Sequence, residues 1–261
     1  LVCWLFNRPV DKAVSFLEGK FQKKPQLIAP NVKVLTDGFN YGNNLALNIQ
    51  TMNVEKSDQL PKGTYTSIAG NKATAWGLIA AAEKCGKRLF LGSYPITPAT
   101  DIMHELAARK DMGVMVVQAE DEIAGVCTAI GAAFAGDLAA TSTSGPGLSL
   151  KSEAIGLAVM AELPLVVIDV QRGGPSTGLP TKTEQTDLMQ ALYGRNGECP
   201  AVVMAASSSA NCFEYAYQAS KIALENMTPV ILLTDTYLAN GTGLWRIPQL
   251  KDLPEIQPQS V

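Results

Sequence analysis

From about residue 88 onward the apolar residues gather into short unbroken runs. Longer stretches separate them, in which apolar positions recur every three or four residues. The runs at 88–91, 114–117, 138–143, 165–170, 201–205 and 230–234 predict strands. The stretches 71–84, 99–109, 121–134, 148–162, 184–192 and 210–225 predict helices. The runs are continuously apolar rather than alternating, so both faces of their sheet are covered, as in a parallel sheet. A helix between each pair of strands gives a doubly wound α/β domain with right-handed crossovers and helices on both faces.

Residues 1–60 lack that rhythm. Positions 13–21 read as a helix with Val14, Phe16, Leu17 and Phe21 apolar. Positions 31–47 are mixed and end polar, and Leu60-Pro61-Lys62-Gly63 is a break. The expected organisation is the tail of another domain and a linker over 1–66, the α/β domain over 67–245, and a linker over 246–261. The chain opens on Leu1 without a methionine, which together with that tail reads as a piece of a longer polypeptide.

In a parallel sheet the loops after the strands share the carboxyl edge, where open α/β sheets bind ligands. Three such loops are distinctive: Ser93-Tyr94-Pro95-Ile96-Thr97-Pro98, Thr143-Ser144-Gly145-Pro146-Gly147, and Gln171-Arg172-Gly173-Gly174-Pro175-Ser176-Thr177-Gly178. They supply Gly, Ser, Thr and one Arg, which suit a small anion held by backbone N–H groups and a guanidinium. Pro98 disfavours helical geometry at Thr97 and suits the first turn of a helix. Thr97 is then either a hydroxyl held extended above the sheet or a helix cap. Ser144-Gly145-Pro146-Gly147 is either a platform for a polar ligand or a tight strand-to-helix turn. Arg172 precedes three glycines and three hydroxyls within ten residues, a poor choice for stability alone. Such a loop suits a carboxylate gripped by two N–H bonds; the plain alternative is a surface arginine in a flexible loop.

Glu120-Asp121-Glu122 opens the helix at 121–134, where acids meet the helix dipole favourably. Glu122 differs because the helix behind it is almost wholly apolar and is expected to be buried. Burial favours the neutral form of a carboxyl, which makes Glu122 the candidate to donate or accept a proton. His104, the single histidine, reads as a surface or packing residue. Lys182, Glu184 and Asp187 read as a solvated helix start.

Composition narrows the partners. Hydrophobic residues at 47% and charged residues at 17% describe a globular chain. A net charge of −3 gives no reason to expect nucleic acid or an anionic membrane, and the apolar runs are too short to span a bilayer. Cys3, Cys85, Cys127, Cys199 and Cys212 form no Cys-x-x-Cys pair, so a zinc site or iron–sulfur cluster held by this chain alone is not expected. Free thiols and no visible signal peptide point to a cytoplasmic protein.

Taken together, the three loops carry a resemblance. From about Gly70 to Pro248 the chain resembles the α-subunit of the 2-oxoacid:ferredoxin oxidoreductases, most closely the 2-oxoglutarate synthase type. Tyr94-Pro95-Ile96-Thr97-Pro98 matches the family's signature loop, and Gly145-Pro146-Gly147 and Arg172-Gly173-Gly174-Pro175-Ser176-Thr177-Gly178 match two more in the family's order. The stretch before Gly70 resembles the end of that family's γ domain.

The resemblance implies the pyrimidine-binding domain of a thiamine diphosphate enzyme. Such an enzyme decarboxylates a 2-oxoacid, passes electrons to ferredoxin and transfers the acyl group to coenzyme A. It also singles out Glu122, whose nine-residue spacing to Gly131 matches the family's glutamate; Glu120 lacks it. In the family this glutamate bonds the pyrimidine ring and favours the imino tautomer that takes the thiazolium proton. By the same carry-over, Tyr94, Pro95, Ile96, Ser144 and Gly145 line the cofactor with Glu122, and Thr97, Arg172, Thr177 and Thr181 face the 2-oxoacid. The nearest match to the family's diphosphate motif, Gly136-Asp137-Leu138, lacks its second glycine. Mg²⁺ and a [4Fe-4S] cluster are therefore expected on a partner β-subunit, and homo-association of the α domain is also expected. Two alternatives stand beside this. Another thiamine diphosphate enzyme would lack the Tyr-Pro-Ile-Thr-Pro loop; a non-catalytic scaffold would have no use for Thr97, Glu122 and Arg172.

Overall fold

The computed structural model describes residues 1–45, 49–55, 59–179 and 181–259. Its contacts divide the chain into two units, Leu1–Lys62 and Gly63–Val261. The first unit is helical: α1 (Val2–Leu5), α2 (Asp11–Lys20) and α3 (Ile28–Asn44). Helix α3 covers the stretch that reads as mixed. Its polar side chains turn back onto the helix: Asn31 donates to Leu27 O, Thr36 to Val32 O, and Lys33 pairs with Asp37 one turn on. Gly42 lets α3 approach α1, since a Cβ there would stand 2.4 Å from the Trp4 ring.

The second unit runs β1 (Tyr65–Ala69), α4 (Gly70–Cys85), β2 (Leu89–Ser93), α5 (Thr100–Ala107), β3 (Met115–Gln118), α6 (Glu122–Phe134), β4 (Leu138–Thr143), α7 (Gly145–Leu150) and α8 (Ser152–Met160). It continues with β5 (Leu165–Gln171), α9 (Leu188–Tyr193), β6 (Val202–Ala205), α10 (Cys212–Asn226), β7 (Pro229–Asp235), α11 (Thr236–Asn240) and β8 (Thr242–Arg246). Six strands form one parallel sheet in the order β3-β2-β4-β5-β7-β6. The central strands β2, β4, β5 and β7 are buried along their whole length, which is why they read as continuous apolar runs.

Alternate residues of these strands feed two cores. Leu91, Ala140, Ile168 and Leu232 pack with Leu78 of α4, Ile102 of α5 and Tyr217 of α10. Phe90, Ala139, Val167 and Leu233 pack with Val126 of α6 and Ile155 of α8. Each of the larger apolar side chains among these, such as Leu91, Ile168 and Val167, contributes about 1.5–3 kcal/mol by burial.

Three features depart from the sequence expectation. Strands β1 and β8 form a separate antiparallel pair, with Tyr65 opposite Arg246. The helix expected from 184 begins only at Leu188, because the segment before it is held by side-chain bonds: Gln185 Nε2 to Asp235 Oδ2 at 2.6 Å, and Asp187 N–H to Gln171 Oε1 at 3.0 Å. The tail expected to be a linker lies on the domain. Ile256 is buried in the first core, Lys84 pairs with Glu255 at 2.6 Å, and the Tyr217 hydroxyl donates to Pro254 O. Among the described residues no helix is long and apolar enough to cross a membrane.

Candidate functional site

The helix after β2 packs on one face of the sheet, while those after β3 and β4 pack on the other. Neighbouring strands whose chains leave in opposite directions open a crevice at their carboxyl ends. The loop 94–98 borders it. Ile96 anchors this loop by packing against the core, and Pro98 O accepts a bond from the buried Asn71 amide at 2.8 Å. Tyr94 and Thr97 are exposed. Thr97 is not a helix cap, because α5 starts at Thr100 after Ala99 without a side-chain cap.

Arg172, at the end of β5, reaches past β4 and donates from Nη1 to Thr97 O at 2.8 Å. The structure thus brings these two predicted residues together. Thr177 and Thr181 lie exposed on the loop after Arg172. Among the described residues no hydrogen bond joins them to Thr97, Arg172 or Glu122. Pro180, between them, lies outside the described residues. The base of this loop is closed by Gly173 N–H on Lys182 O at 2.9 Å.

Glu122 is the first residue of α6 and is buried, whereas Glu120 is exposed. Asp121 caps the helix, its Oδ1 accepting from Ala124 N–H at 2.7 Å, so Glu122 is not needed for capping. Among the described residues the Glu122 carboxylate makes no hydrogen bond or ion pair within the chain. Gly147 of α7 lies directly against it: a Cβ at 147 would stand 2.8 Å from Glu122 Cγ and 2.0 Å from Thr143 Oγ1.

Ser144 and Gly145 start α7, three residues earlier than the sequence suggests. Ser144 is fully buried, and its hydroxyl has no partner among the described residues. Gly145 is required by Asp187, whose carboxylate oxygens would stand 2.6 Å from a Cβ there. Asp187 is therefore not part of a solvated helix start. Its carboxylate faces that of Asp169, which is fully buried within β5. Burial, then the neighbouring Asp187 charge, pushes the Asp169 pKa well above the usual carboxylate range and favours its protonated form.

Two polar residues at this edge escaped the sequence reading, Asp169 and Lys151, and Asp187 reads there only as part of a solvated helix start. Asp169 left a signal, an acid inside an otherwise apolar run. Lys151 left none, since a lysine within the predicted helix 148–162 reads as solvated. The diphosphate-like stretch at Gly136 lies elsewhere: Asp137 is held by Arg88 in a two-pronged ion pair, 2.7 Å at its shortest, at the amino end of β4.

A doubly wound α/β domain with a buried, unpartnered acid and small-residue loops at its carboxyl edge is a cofactor-binding domain in its architecture. Residues 81–261 match the family model described as pyruvate flavodoxin/ferredoxin oxidoreductase, thiamine diphosphate-binding, and the chain belongs to that family. It is 54% identical over 257 residues to the 2-oxoglutarate oxidoreductase subunit KorA of Mycobacterium tuberculosis, covering 98% of this chain and 39% of that protein. It is 46% identical over 182 residues to the 2-oxoglutarate synthase subunit KorA of Methanothermobacter marburgensis, covering 69% of this chain and 47% of that one. Among solved structures it resembles a 2-oxoglutarate:ferredoxin oxidoreductase from Magnetococcus marinus with 2-oxoglutarate, coenzyme A and succinyl-CoA bound. The TM-score is 0.84 at 37% identity, over 100% of this chain and 44% of that one. The chain thus spans less than half the length of each of these relatives.

Proposed function

We propose that this chain is the thiamine diphosphate-binding part of the α-subunit of a 2-oxoacid:ferredoxin oxidoreductase acting on 2-oxoglutarate. The complete enzyme would convert the 2-oxoacid to its acyl-coenzyme A and CO₂ and reduce ferredoxin. The observation that carries this is Glu122: a carboxylate at a buried helix start that makes no hydrogen bond or ion pair among the described residues, beside a glycine whose side-chain space it fills. The residues fit the aminopyrimidine of thiamine diphosphate, and the orphaned Ser144 hydroxyl adds a second polar group on the same edge. When bound, the cofactor supplies the carbanion that attacks the 2-oxoacid and stabilises the decarboxylated product. Glu122 would hold a proton at the pyrimidine ring. Arg172, tied to Thr97, would present its remaining N–H groups to a carboxylate, with Thr97, Thr177 and Thr181 as neighbouring hydroxyls.

The diphosphate, its Mg²⁺ and a [4Fe-4S] cluster would be held by a β-subunit. Supporting this, Asp137, in the nearest match to a diphosphate motif, is already paired with Arg88. Exposed Ile123, Cys127 and Phe134 run along α6 beside Glu122 and suit the partner's contact. The first unit, residues 1–62, would be the end of a γ-like domain. Five free thiols suit a reducing cytoplasm. The test is a thiamine diphosphate and Mg²⁺ titration of the chain with and without its β-subunit. We expect tight binding and 2-oxoglutarate turnover only with the partner; turnover by the chain alone would refute the shared site.

A further inference from the structure

Lys151 has no part in the chemistry above, yet its position is costly. The side chain is fully buried, at the joint between α7 and α8. Its ammonium donates to the main-chain carbonyl of Glu122 over 2.7 Å. Among the described residues it belongs to no ion pair. A buried ammonium without an ion pair is expensive. Its buried neighbours along the chain, Leu148, Ala154 and Ile155, are apolar. One turn before Lys151, Gly147 leaves the space that the Glu122 side chain occupies. Positions 147 and 151 therefore hold one residue between them: the first admits the side chain, the second grips the main chain.

We propose that Lys151 is a positioning residue that holds the start of α6, through the Glu122 carbonyl, so that the Glu122 carboxyl lies where it meets the aminopyrimidine. This rests on the reading of Glu122 given above. The charged and titratable groups bearing on the ammonium are Glu122, Asp121 and the Cys127 thiol, all at or near the start of α6. Burial pulls the Lys151 pKa down to about 8, and those three groups draw it back up. The ammonium is thus intact below about pH 8 and lost above it, and its grip on Glu122 weakens over that range.

The test uses the full-length subunit reassembled with its partner, as wild type, Lys151→Met and Lys151→Gln. Affinity for thiamine diphosphate with Mg²⁺ and the thermal midpoint are measured from about pH 6 to about pH 9.5. We expect wild-type affinity to fall above about pH 8. Lys151→Met should bind about tenfold more weakly at neutral pH, lack that alkaline fall, and melt no lower than wild type. Lys151→Gln, a neutral donor, should recover part of the affinity and carries the test if the methionine variant does not fold. A methionine variant with wild-type affinity and the wild-type pH profile would overturn the proposal. So would failure of both variants to fold, which would make the lysine structural. Glu122→Gln in parallel separates the two levels. If it turns over normally, the reading of Glu122 fails and this inference with it. If it is inactive while Lys151→Met matches wild type, only the role of Lys151 fails.

Discussion

Arg172 Nη1 donates to the Thr97 carbonyl over 2.8 Å, joining the loop after β5 to the loop after β2 past the end of β4. The bond uses one edge of the guanidinium and orients the rest. Lysine keeps the charge but not the planar fork. We predict that Arg172→Lys raises the Michaelis constant about tenfold, and more for a dicarboxylic 2-oxoacid than for pyruvate. Equal effects on both substrates would place the grip on the carboxylate next to the keto group. Unchanged kinetics in Arg172→Ala would make Arg172 an ordinary surface residue.

Asp169 makes a different prediction, about stability. Its raised pKa means that the folded chain keeps a proton that the unfolded chain releases. Stability from this group is therefore lost as pH rises from the usual carboxylate range toward the raised value. Asp169→Asn has nearly the same shape but does not titrate. Its thermal midpoint should exceed that of wild type by a few degrees, about 2–4 °C, at neutral pH, with the gap closing toward about pH 4. Parallel melting curves across that range would contradict the raised pKa of Asp169.

Ile256 tests whether the tail belongs to the domain. It is 5% exposed and packs in the same core as Leu78 and Tyr217. Ile256→Ala should cost about 2 kcal/mol or more, read as a lower denaturant midpoint. A midpoint equal to wild type would return the tail to the status of a linker.

The parallel sheet was legible because its central strands are buried on both faces and so leave unbroken apolar runs. The β1–β8 pair was not, because its strands are partly exposed and carry Thr66, Ser67, Thr242 and Arg246 among the apolar residues. Helix α3 was hidden by asparagines and glycines that in the fold bond back to the helix or pack on Trp4. At the site, the loops and the difference between Glu120 and Glu122 were visible in the pattern. What pattern could not supply was the pairing across the edge: Asp187 on Gly145, Gly147 on Glu122, and Lys151 on the Glu122 carbonyl. Each joins residues far enough apart that only the sheet order brings them together.

Glu122→Gln in the reassembled enzyme is the most direct test. The amide has nearly the same shape, so α6 and the thermal midpoint should be unchanged. It cannot carry the carboxyl's proton, and decarboxylation of the 2-oxoacid should fall by about a thousandfold or more. An unchanged midpoint with that loss would confirm the placement of the acid at the pyrimidine. A glutamine variant that decarboxylates within a few-fold of wild type would leave Glu122 as a helix-start acid and remove the basis of the proposed chemistry.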